Sequence, residues 1–355
     1  MHSLPLVDQY SHGVLHGELG LGAFERRLAA AVGESAPGEG AAAGSFFDSR
    51  VGLAVRRWCP PLLGLEPDCS AVSYLARRRE LGAYTAGRTL LRASGIKVFL
   101  VDSGPAPGQE PAEEVTTPDE LASAVGGRAH ELVGLERLAA RAADATGTVD
   151  TFLDEIAEAL TAAAARGAAA FVCDADGVAE GGVPEPAEVR RAAGRWLAGR
   201  GAPEPVLVRH LLWSALETGR PLQLRCADPV PLTPLLHATA GRATLILLPR
   251  EPHHRAAARL AAVFPHVYAD VGPEPERTLA EAPSAKLLFS SGARVLPELH
   301  VIRARQFQRA LGRVLSDWVT EGAYSPADAE RVGAMVAGGT AHRIYRLTEP
   351  AQAPY

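Results

Sequence analysis

Short apolar runs alternate along this chain with longer stretches in which apolar residues recur at helical spacing. The short runs have the length of strands, and the stretches between them are long enough to form helices of several turns. This alternation is typical of repeated βα units arranged around a parallel sheet. The strands predicted in this way are residues 4–9, 96–102, 129–134, 168–173, 221–226, 243–248, 267–271 and 286–290.

Eight predicted strands favour a (β/α)8 TIM barrel over an open doubly wound sheet. No linker divides the chain, so we predict a single domain over residues 1–355, with a C-terminal helical segment at about 297–337. Stretches rich in Gly, Pro and Ala, at 33–44 and 104–118, predict mobile loops, and the first belongs to a loop-rich rim at about 33–69. The predicted helices are 70–94, 151–166, 203–218, 253–263 and 297–320.

Charge and composition exclude several classes of partner. The net charge is −5 and the arginines are scattered among acidic residues, so the chain has no basic stripe for a nucleic-acid backbone. The longest apolar stretches are strand-sized and no apolar signal core follows the first residues, which predicts a cytoplasmic protein without a membrane segment. Apolar residues on more than one face of the predicted helix at 297–320 favour a homodimer.

Five segments of the sequence resemble a known protein family. The segment at 47–58 reads FDSRVGLAVRRW, and shorter segments stand at 100–104, 264–268, 296–299 and 343–345. Together they resemble the amidohydrolase-related family 2 proteins of the amidohydrolase superfamily, over essentially the whole chain. The resemblance implies a metal-dependent-hydrolase-like TIM barrel whose functional residues project from the carboxyl ends of the strands.

The resemblance also implies a metal site, and this chain departs from it. Family members bind one divalent metal, or sometimes two, with two histidines of strand 1, a Lys or Glu of strand 4, histidines of strands 5 and 6, and an aspartate of strand 8. Only one of the six matching positions keeps its ligand, which makes this chain a divergent member that lacks most metal ligands. The residues at the matching positions are Tyr10, His12, Val172, Arg225, Pro249 and Gly292.

The substitutions change the chemistry that we expect at the site. A catalytic zinc needs about three protein ligands, so His12 alone does not hold it, and a guanidinium repels a cation. Arg225 and Arg250 instead predict a site for a small anionic molecule, with each charged hydrogen bond contributing roughly 1.5 to 3 kcal/mol. We therefore expect no metal and no other cofactor.

The predicted site combines catalytic and ligand-binding candidates. The catalytic candidates are His12, Asp102 and Asp228, and the ligand-binding candidates are Tyr10, Arg225, Arg250, Cys226 and His254. Several residues have a plain structural alternative: a salt bridge from Arg225 to Asp228 or Asp174, a capping or exposed role for His253 and His254, inert packing for Cys173 and Cys226, and a turn cap for Asp102.

Three functions remain open from the sequence. The first is a divergent enzyme with a metal-independent, hydrolase- or lyase-type site for an anionic small molecule. The second is a catalytically inactive pseudoenzyme that binds a ligand or a partner protein. The third is a one-metal amidohydrolase with unusual ligands, built from His12, Asp174 and a histidine after strand 6. A hydrogen bond from His12 to a carboxylate in an open cavity favours the enzyme, and a crowded pocket favours the pseudoenzyme.

Overall fold

The computed structural model describes residues 4–31, 45–104, 115–199 and 201–347. Eight strands follow one another in the sheet in their order along the chain. The first strand pairs in parallel with the second, as do neighbouring strands from the third to the eighth. The strands are β1 (Leu6–Ser11), β2 (Ile96–Asp102), β3 (Arg128–Gly134), β4 (Ala170–Asp174), β5 (Leu222–Cys226), β6 (Leu245–Pro249), β7 (Val267–Asp270) and β8 (Leu287–Leu288). The predicted (β/α)8 TIM-barrel fold is confirmed.

Helices fill the connections between the strands, as the predicted βα alternation requires. They are α1 (Leu21–Ala31), α2 (Arg50–Trp58), α3 (Ala71–Leu81), α4 (Ala83–Ala93), α5 (Pro118–Val125), α6 (Leu135–Ala145), α7 (Val149–Ala165), α8 (Pro186–Gly199), α9 (Pro205–Glu217), α10 (Thr233–Ala238), α11 (His254–Val263), α12 (Pro275–Leu279), α13 (Pro297–Thr320), α14 (Pro326–Ala334) and α15 (Thr340–Ile344). In the part of the chain that the structure describes, no helix is long and apolar enough to cross a bilayer.

The single helix predicted at 70–94 is two helices in the structure, so the prediction of one continuous helix was wrong. Gly82 separates α3 from α4 with a φ of 78°, a left-handed conformation that glycine adopts at little cost. Each half keeps one apolar face, so helical periodicity alone did not reveal the break.

Contacts divide the chain into two compact units. The first unit comprises Met1–His130 with Ser290–Arg313, and the second comprises Glu131–Phe289 with Val314–Tyr355. The single-domain interpretation therefore stays a prediction. The predicted loop at 33–44 and residues 105–114 of the predicted loop at 104–118 lie outside the described residues. Residues 46–63, within the predicted rim, are largely helical.

In the first unit, the chain after β8 runs beside β1. The backbone nitrogen of Gly292 donates to the carbonyl oxygen of Tyr10 at 3.0 Å, and that of His12 donates to the carbonyl oxygen of Ala293 at 2.8 Å. Val14 and Val295 continue this contact as a parallel bridge. The eighth strand, predicted over residues 286–290, is short because the following residues bond to β1 instead of continuing along β7.

The start of α13 is fixed in the first unit by a buried charged network. Glu298 is fully buried and accepts from the hydroxyl of Tyr74 at 2.7 Å, while Nε of Arg78 lies 3.2 Å from the same carboxylate oxygen. Burial and the neighbouring Glu298 raise the pKa of the Tyr74 phenol well above its usual value, so Tyr74 stays a hydrogen-bond donor. The guanidinium of Arg78 also lies 5.5 Å from the ring centre of Phe24.

In the second unit, a hydrogen bond joins a buried polar side chain of the sheet to a tyrosine near the end of the described chain. Gln223 of β5 is fully buried and donates through Nε2 to the hydroxyl oxygen of Tyr345 at 2.8 Å. Burial is the main cause that raises the pKa of this phenol, so Tyr345 stays neutral at ordinary pH. The pair ties the end of the described chain to the middle of the parallel sheet.

Loss of the Arg78 charge is expected to destabilise the protein strongly. Arg78→Met leaves the Glu298 carboxylate buried without its guanidinium, which typically costs about 3 to 5 kcal/mol in the free energy of unfolding. The neighbouring Arg79 is exposed, so Arg79→Met is the matched control, with an expected change within about 0.5 kcal/mol. Urea denaturation measures both values, and equal effects would contradict the structural role of the buried pair.

Candidate functional site

Tyr10 and His12 lie at the carboxyl end of β1, in the first unit. Both side chains are almost fully buried, with 7% and 5% of their surface exposed. Because side chains alternate along a strand, residues two apart share one side, and the two rings meet edge to face with their centres 5.2 Å apart. The hydroxyl of Tyr10 lies 3.1 Å from Nε2 of His12.

The two ring nitrogens of His12 have different partners. Nδ1 lies 2.9 Å from the backbone carbonyl oxygen of Asp102 at the end of β2. Nε2 faces both the hydroxyl of Tyr10 and, at 3.2 Å, a guanidinium nitrogen of Arg294. The three elements that build this cluster are β1, β2 and the segment after β8.

These partners define the protonation state of His12. A carbonyl oxygen only accepts, so Nδ1 carries the proton. A guanidinium only donates, so Nε2 must be the accepting nitrogen, and the ring is neutral. The single lone pair of His12 is therefore shared between the hydroxyl of Tyr10 and the guanidinium of Arg294.

Asp102 was predicted as a catalytic acid or base, and it contacts His12 through its backbone. Only 1% of the residue is exposed, at the end of β2. The oxygen that receives the Nδ1 proton belongs to the peptide group and not to the carboxylate. In this contact Asp102 orients the imidazole ring without exchanging a proton with it.

Arg225 belongs to the second unit, where it lies close to a carboxylate that the sequence analysis did not consider. Its guanidinium lies 3.9 Å from the carboxylate of Glu136, the second residue of α6. The other carboxylate oxygen of Glu136 accepts from the backbone nitrogen of Asp174. Arg225 thus forms an ion pair with Glu136, whereas the salt-bridge alternative from the sequence named Asp228 or Asp174.

Arg250 makes a surface ion pair. Its side chain is 69% exposed, and a guanidinium nitrogen lies 3.0 Å from the carboxylate of Asp176. The other oxygen of Asp176 accepts from the backbone nitrogen of Ala227 at 2.7 Å, which holds the carboxylate in place. Both arginines that were predicted to bind an anion therefore already face a carboxylate of the protein.

Asp228 has a local structural role. Its carboxylate accepts from the backbone nitrogen of Val230 at 3.0 Å, which closes a turn before a short helix, and lies 3.6 Å from Nδ1 of the half-exposed His253. His254, a predicted ligand-binding residue, lies 3.8 Å from the carboxylate of Asp270 at the end of β7. The second unit keeps these two residues in separate pairs.

The thiol of Cys226 is poorly suited to nucleophilic attack. Burial first, and then the charges of Asp176 and Asp174, raise its pKa to about 12. The thiolate is the reactive form, and a thiol with so high a pKa is almost entirely protonated at pH 7. Burial and the neighbouring Glu136 likewise raise the pKa of Cys173 well above its usual value.

The donor set does not fit the metal site that the family resemblance implies. The lone pair of His12 is already shared, Arg225 carries a positive charge, and Val172, Pro249 and Gly292 have no donor side chain. Among the residues that the structure describes, no group of three or more His, Cys, Asp or Glu side chains could hold a metal ion. We therefore derive no chemistry through a metal.

Sequence reasoning missed Arg294 and Glu136. Arg294 lies beyond the predicted end of strand 8, and it reaches His12 only because the segment after β8 pairs with β1. Glu136 lies at the start of α6, in the connection that follows β3. A search of the first residues after each strand for charged side chains would have found both, since barrel sites are built from those positions.

Solved structures share this fold over nearly the whole chain. A protein from Lactobacillus casei ATCC 334, assigned as a metal-dependent hydrolase, has a TM-score of 0.78 at 20% identity and covers 97% of this chain and 95% of its own. Uronate isomerase from Thermotoga maritima gives 0.65 at 13%, with 96% and 94% covered. Glucuronate isomerase from Caulobacter crescentus gives 0.63 at 14%, with 98% and 92% covered. At these identities the likeness shows the fold alone.

Sequence comparison gives one partial relative. Protein fluG of Emericella nidulans is 34% identical over 110 residues, which is 28% of this chain and 13% of that protein. The chain thus matches a small part of that relative's length. No model of a known protein family matches the sequence.

Alkylation is expected to distinguish the cysteines. Native protein treated with iodoacetamide at pH 7.5 should be labelled first at the half-buried Cys69 and remain unlabelled at Cys226, because burial and nearby carboxylates keep that thiol protonated. Mass spectrometry of the peptides measures the order, and labelling in urea provides the control in which both react. Faster labelling of native Cys226 would make it a nucleophile candidate again.

Proposed function

We propose that the protein is a divergent amidohydrolase-type barrel that binds a small molecule with an acid group and does so without a metal centre. The observation that carries the proposal is the engagement of both ring nitrogens of His12, Nδ1 by a backbone carbonyl and Nε2 by Tyr10 and Arg294. A metal ligand or a general base must direct a lone pair at the metal or the substrate. The lone pair of neutral His12 is already shared between two donors of the protein.

The family assignment within this proposal rests on two kinds of support. The fold is common to a barrel assigned as a metal-dependent hydrolase, and the segments at 47–58 and 296–299 resemble the amidohydrolase-related family 2 proteins. The partial similarity to protein fluG is independent of the fold comparison. A homodimer and a cytoplasmic location stay predictions.

The chemistry of the neighbouring barrels supports an acid group on the ligand. Two of the solved structures with this fold are, by name, isomerases of uronate and glucuronate, which are sugar carboxylates. A carboxylate binds to a guanidinium through charged hydrogen bonds, which are stronger than neutral ones. A carboxylate-bearing small molecule is therefore the first ligand class to test.

Binding without turnover is the form of the function that the contacts of His12 favour. Its contacts with a carbonyl, a hydroxyl and a guanidinium engage both ring nitrogens, whereas a general base must direct a lone pair at its substrate. The thiol of Cys226 is protonated, and the carboxylate of Asp228 closes a turn. The alternative with a single metal loses support as well, because the lone pair of His12 is already shared between two donors.

One observation favours a second candidate, a metal-independent hydrolase or lyase. The hydroxyl of Tyr10 donates to Nε2 of His12, so the imidazole can accept the phenol proton while Tyr10 acts on a substrate. Catalysis and binding differ in turnover, which separates the two candidates directly.

Metal analysis tests the absence of a metal centre. Protein purified without chelator is expected to hold less than about 0.1 equivalent of zinc, iron or manganese, since a catalytic zinc needs about three protein ligands. Inductively coupled plasma mass spectrometry measures the content, with His12→Ala as the comparison. Near-stoichiometric metal that is lost in His12→Ala would contradict the proposal.

Ligand binding tests the acid group. D-glucuronate is expected to bind with a Kd of about 1 mM or tighter in isothermal titration calorimetry, whereas D-glucose, which has a similar ring without the carboxylate, should bind much more weakly. Nuclear magnetic resonance of the same mixture should show unchanged glucuronate after a day. Conversion of the sugar would favour the enzyme, and equal affinity for glucose would contradict the role of the acid group.

A further inference from the structure

We infer that Arg294 is the residue that binds the acid group of the ligand, and that Ser291 and Asp8 position it for this role. The inference rests on the proposed function, because it names the ligand-binding residue of the same site. It replaces Arg225 and Arg250, which the sequence favoured for this role and which lie beside Glu136 and Asp176.

The charge of Arg294 is the first step of the argument. The side chain is half-buried, and within the described ranges no carboxylate lies within ion-pair distance of its guanidinium. The other arginines considered above, Arg78, Arg225 and Arg250, each have a carboxylate partner. A partly buried cation without a counter-ion is costly, and an anionic ligand would remove that cost.

The contact with His12 leaves Arg294 able to bind a ligand. A guanidinium has five N–H donors in a planar fork, and one of its nitrogens faces Nε2 of His12. The neutral imidazole contributes no negative charge, so it orients the guanidinium without neutralising it. The remaining donors match the geometry of a carboxylate or a phosphate, which present two oxygens side by side.

The position of Arg294 is fixed through Ser291, three residues earlier. The backbone nitrogen and the hydroxyl of Ser291 both donate to the carboxylate of the fully buried Asp8, at 2.8 and 2.5 Å. The hydroxyl oxygen of Ser291 also accepts from the backbone nitrogen of Ala293 at 3.0 Å. These bonds hold the segment that carries Arg294 against β1, the strand that His12 directly follows.

Asp8 is itself embedded in the core of the first unit. The carboxylate lies 3.6 Å from Nδ1 of His300, which is also fully buried and packs edge to face against Phe99. Two donors from Ser291 satisfy the carboxylate oxygens in a site without water access. The contact between Asp8 and Ser291 is therefore rigid, as a preorganised binding residue requires.

Backbone strain beside Arg294 agrees with a segment that its surroundings hold in place. Val295 has a φ of 57°, which is unusual for a β-branched residue. Such a conformation costs of order 1 to 3 kcal/mol and persists only where the neighbouring structure determines it. Here the pairing of residues 292–295 with β1 and the hydrogen bonds of Ser291 hold Val295 in this conformation.

Calorimetric titration tests the binding role, with D-glucuronate and inorganic phosphate as separate probes. Arg294→Met is expected to weaken binding of the preferred probe about tenfold or more, the usual cost of losing a charged hydrogen bond. The matched control Arg79→Met removes an exposed arginine of the same unit and should change the Kd less than about twofold. Preference for one probe identifies the acid group as carboxylate or phosphate.

The outcomes separate the inference from the proposed function. If either probe binds and Arg294→Met leaves its Kd unchanged, Arg294 is not the ligand-binding residue, while the proposed function stands. If neither probe binds the unmodified protein at about 10 mM, a concentration that would reveal even millimolar affinity, both are overturned.

Nitrogen-15 magnetic resonance of His12 tests the positioning role without a ligand. Ser291→Ala removes the hydroxyl that bonds Asp8 and Ala293, so the Nε2 signal should move toward its position in Arg294→Met, and the Kd should rise about threefold. Ser291→Thr keeps the hydroxyl and should restore both. A lower melting temperature with an unchanged Nε2 signal would show that Ser291 only stabilises the fold and would overturn its positioning role.

Discussion

The pairing of the segment after β8 with β1 is the contact on which the candidate site depends. Backbone hydrogen bonds from Gly292 to Tyr10 and from His12 to Ala293 fix the two segments side by side. Because side chains in paired strands have defined directions, the register decides that Arg294 meets His12. A shift of one residue would turn the guanidinium away and leave the imidazole lone pair to the hydroxyl of Tyr10 alone. The chemistry of the site thus follows from backbone geometry.

The fold was predictable from the sequence because its signals are local. Each predicted strand overlaps an observed one, and the second, at 96–102, has the observed bounds. Most of the buried parallel strands read as continuous apolar runs and could be recognised alone, whereas β3, with the sequence RAHELVG, contains three polar or charged residues. The prediction of one helix at 70–94 was wrong in one respect, because the break at Gly82 depends on the φ angle of a single glycine, which can adopt or avoid a positive value.

The site was only partly predictable because its contacts are long-range. Tyr10, His12 and Asp102 were expected at the ends of strands 1 and 2, and they lie close together because neighbouring strands end at the same edge of a parallel sheet. Their roles in a functional site stay predictions. Arg294 and the carboxylate partners of Arg225 and Arg250 were not foreseen. An ion pair between side chains far apart in sequence depends on loop paths, which local patterns do not encode. A sequence shows that an arginine carries a positive charge, but it does not show which carboxylate pairs with that charge.

Whether an arginine is paired with a carboxylate of the protein also bears on whether a site has gained a new ligand or has only lost its old one. When a buried site loses its ligand, the remaining charges are expected to pair internally, as Arg225 does with Glu136. The cluster at His12 does not have this form. It combines a neutral imidazole, a phenol and a half-buried cation that has no carboxylate partner among the described residues. A separate buried carboxylate, Asp8, holds the segment that carries the cation. A partly buried cation without a counter-ion costs free energy, so its presence in this setting agrees with the negatively charged ligand that we propose.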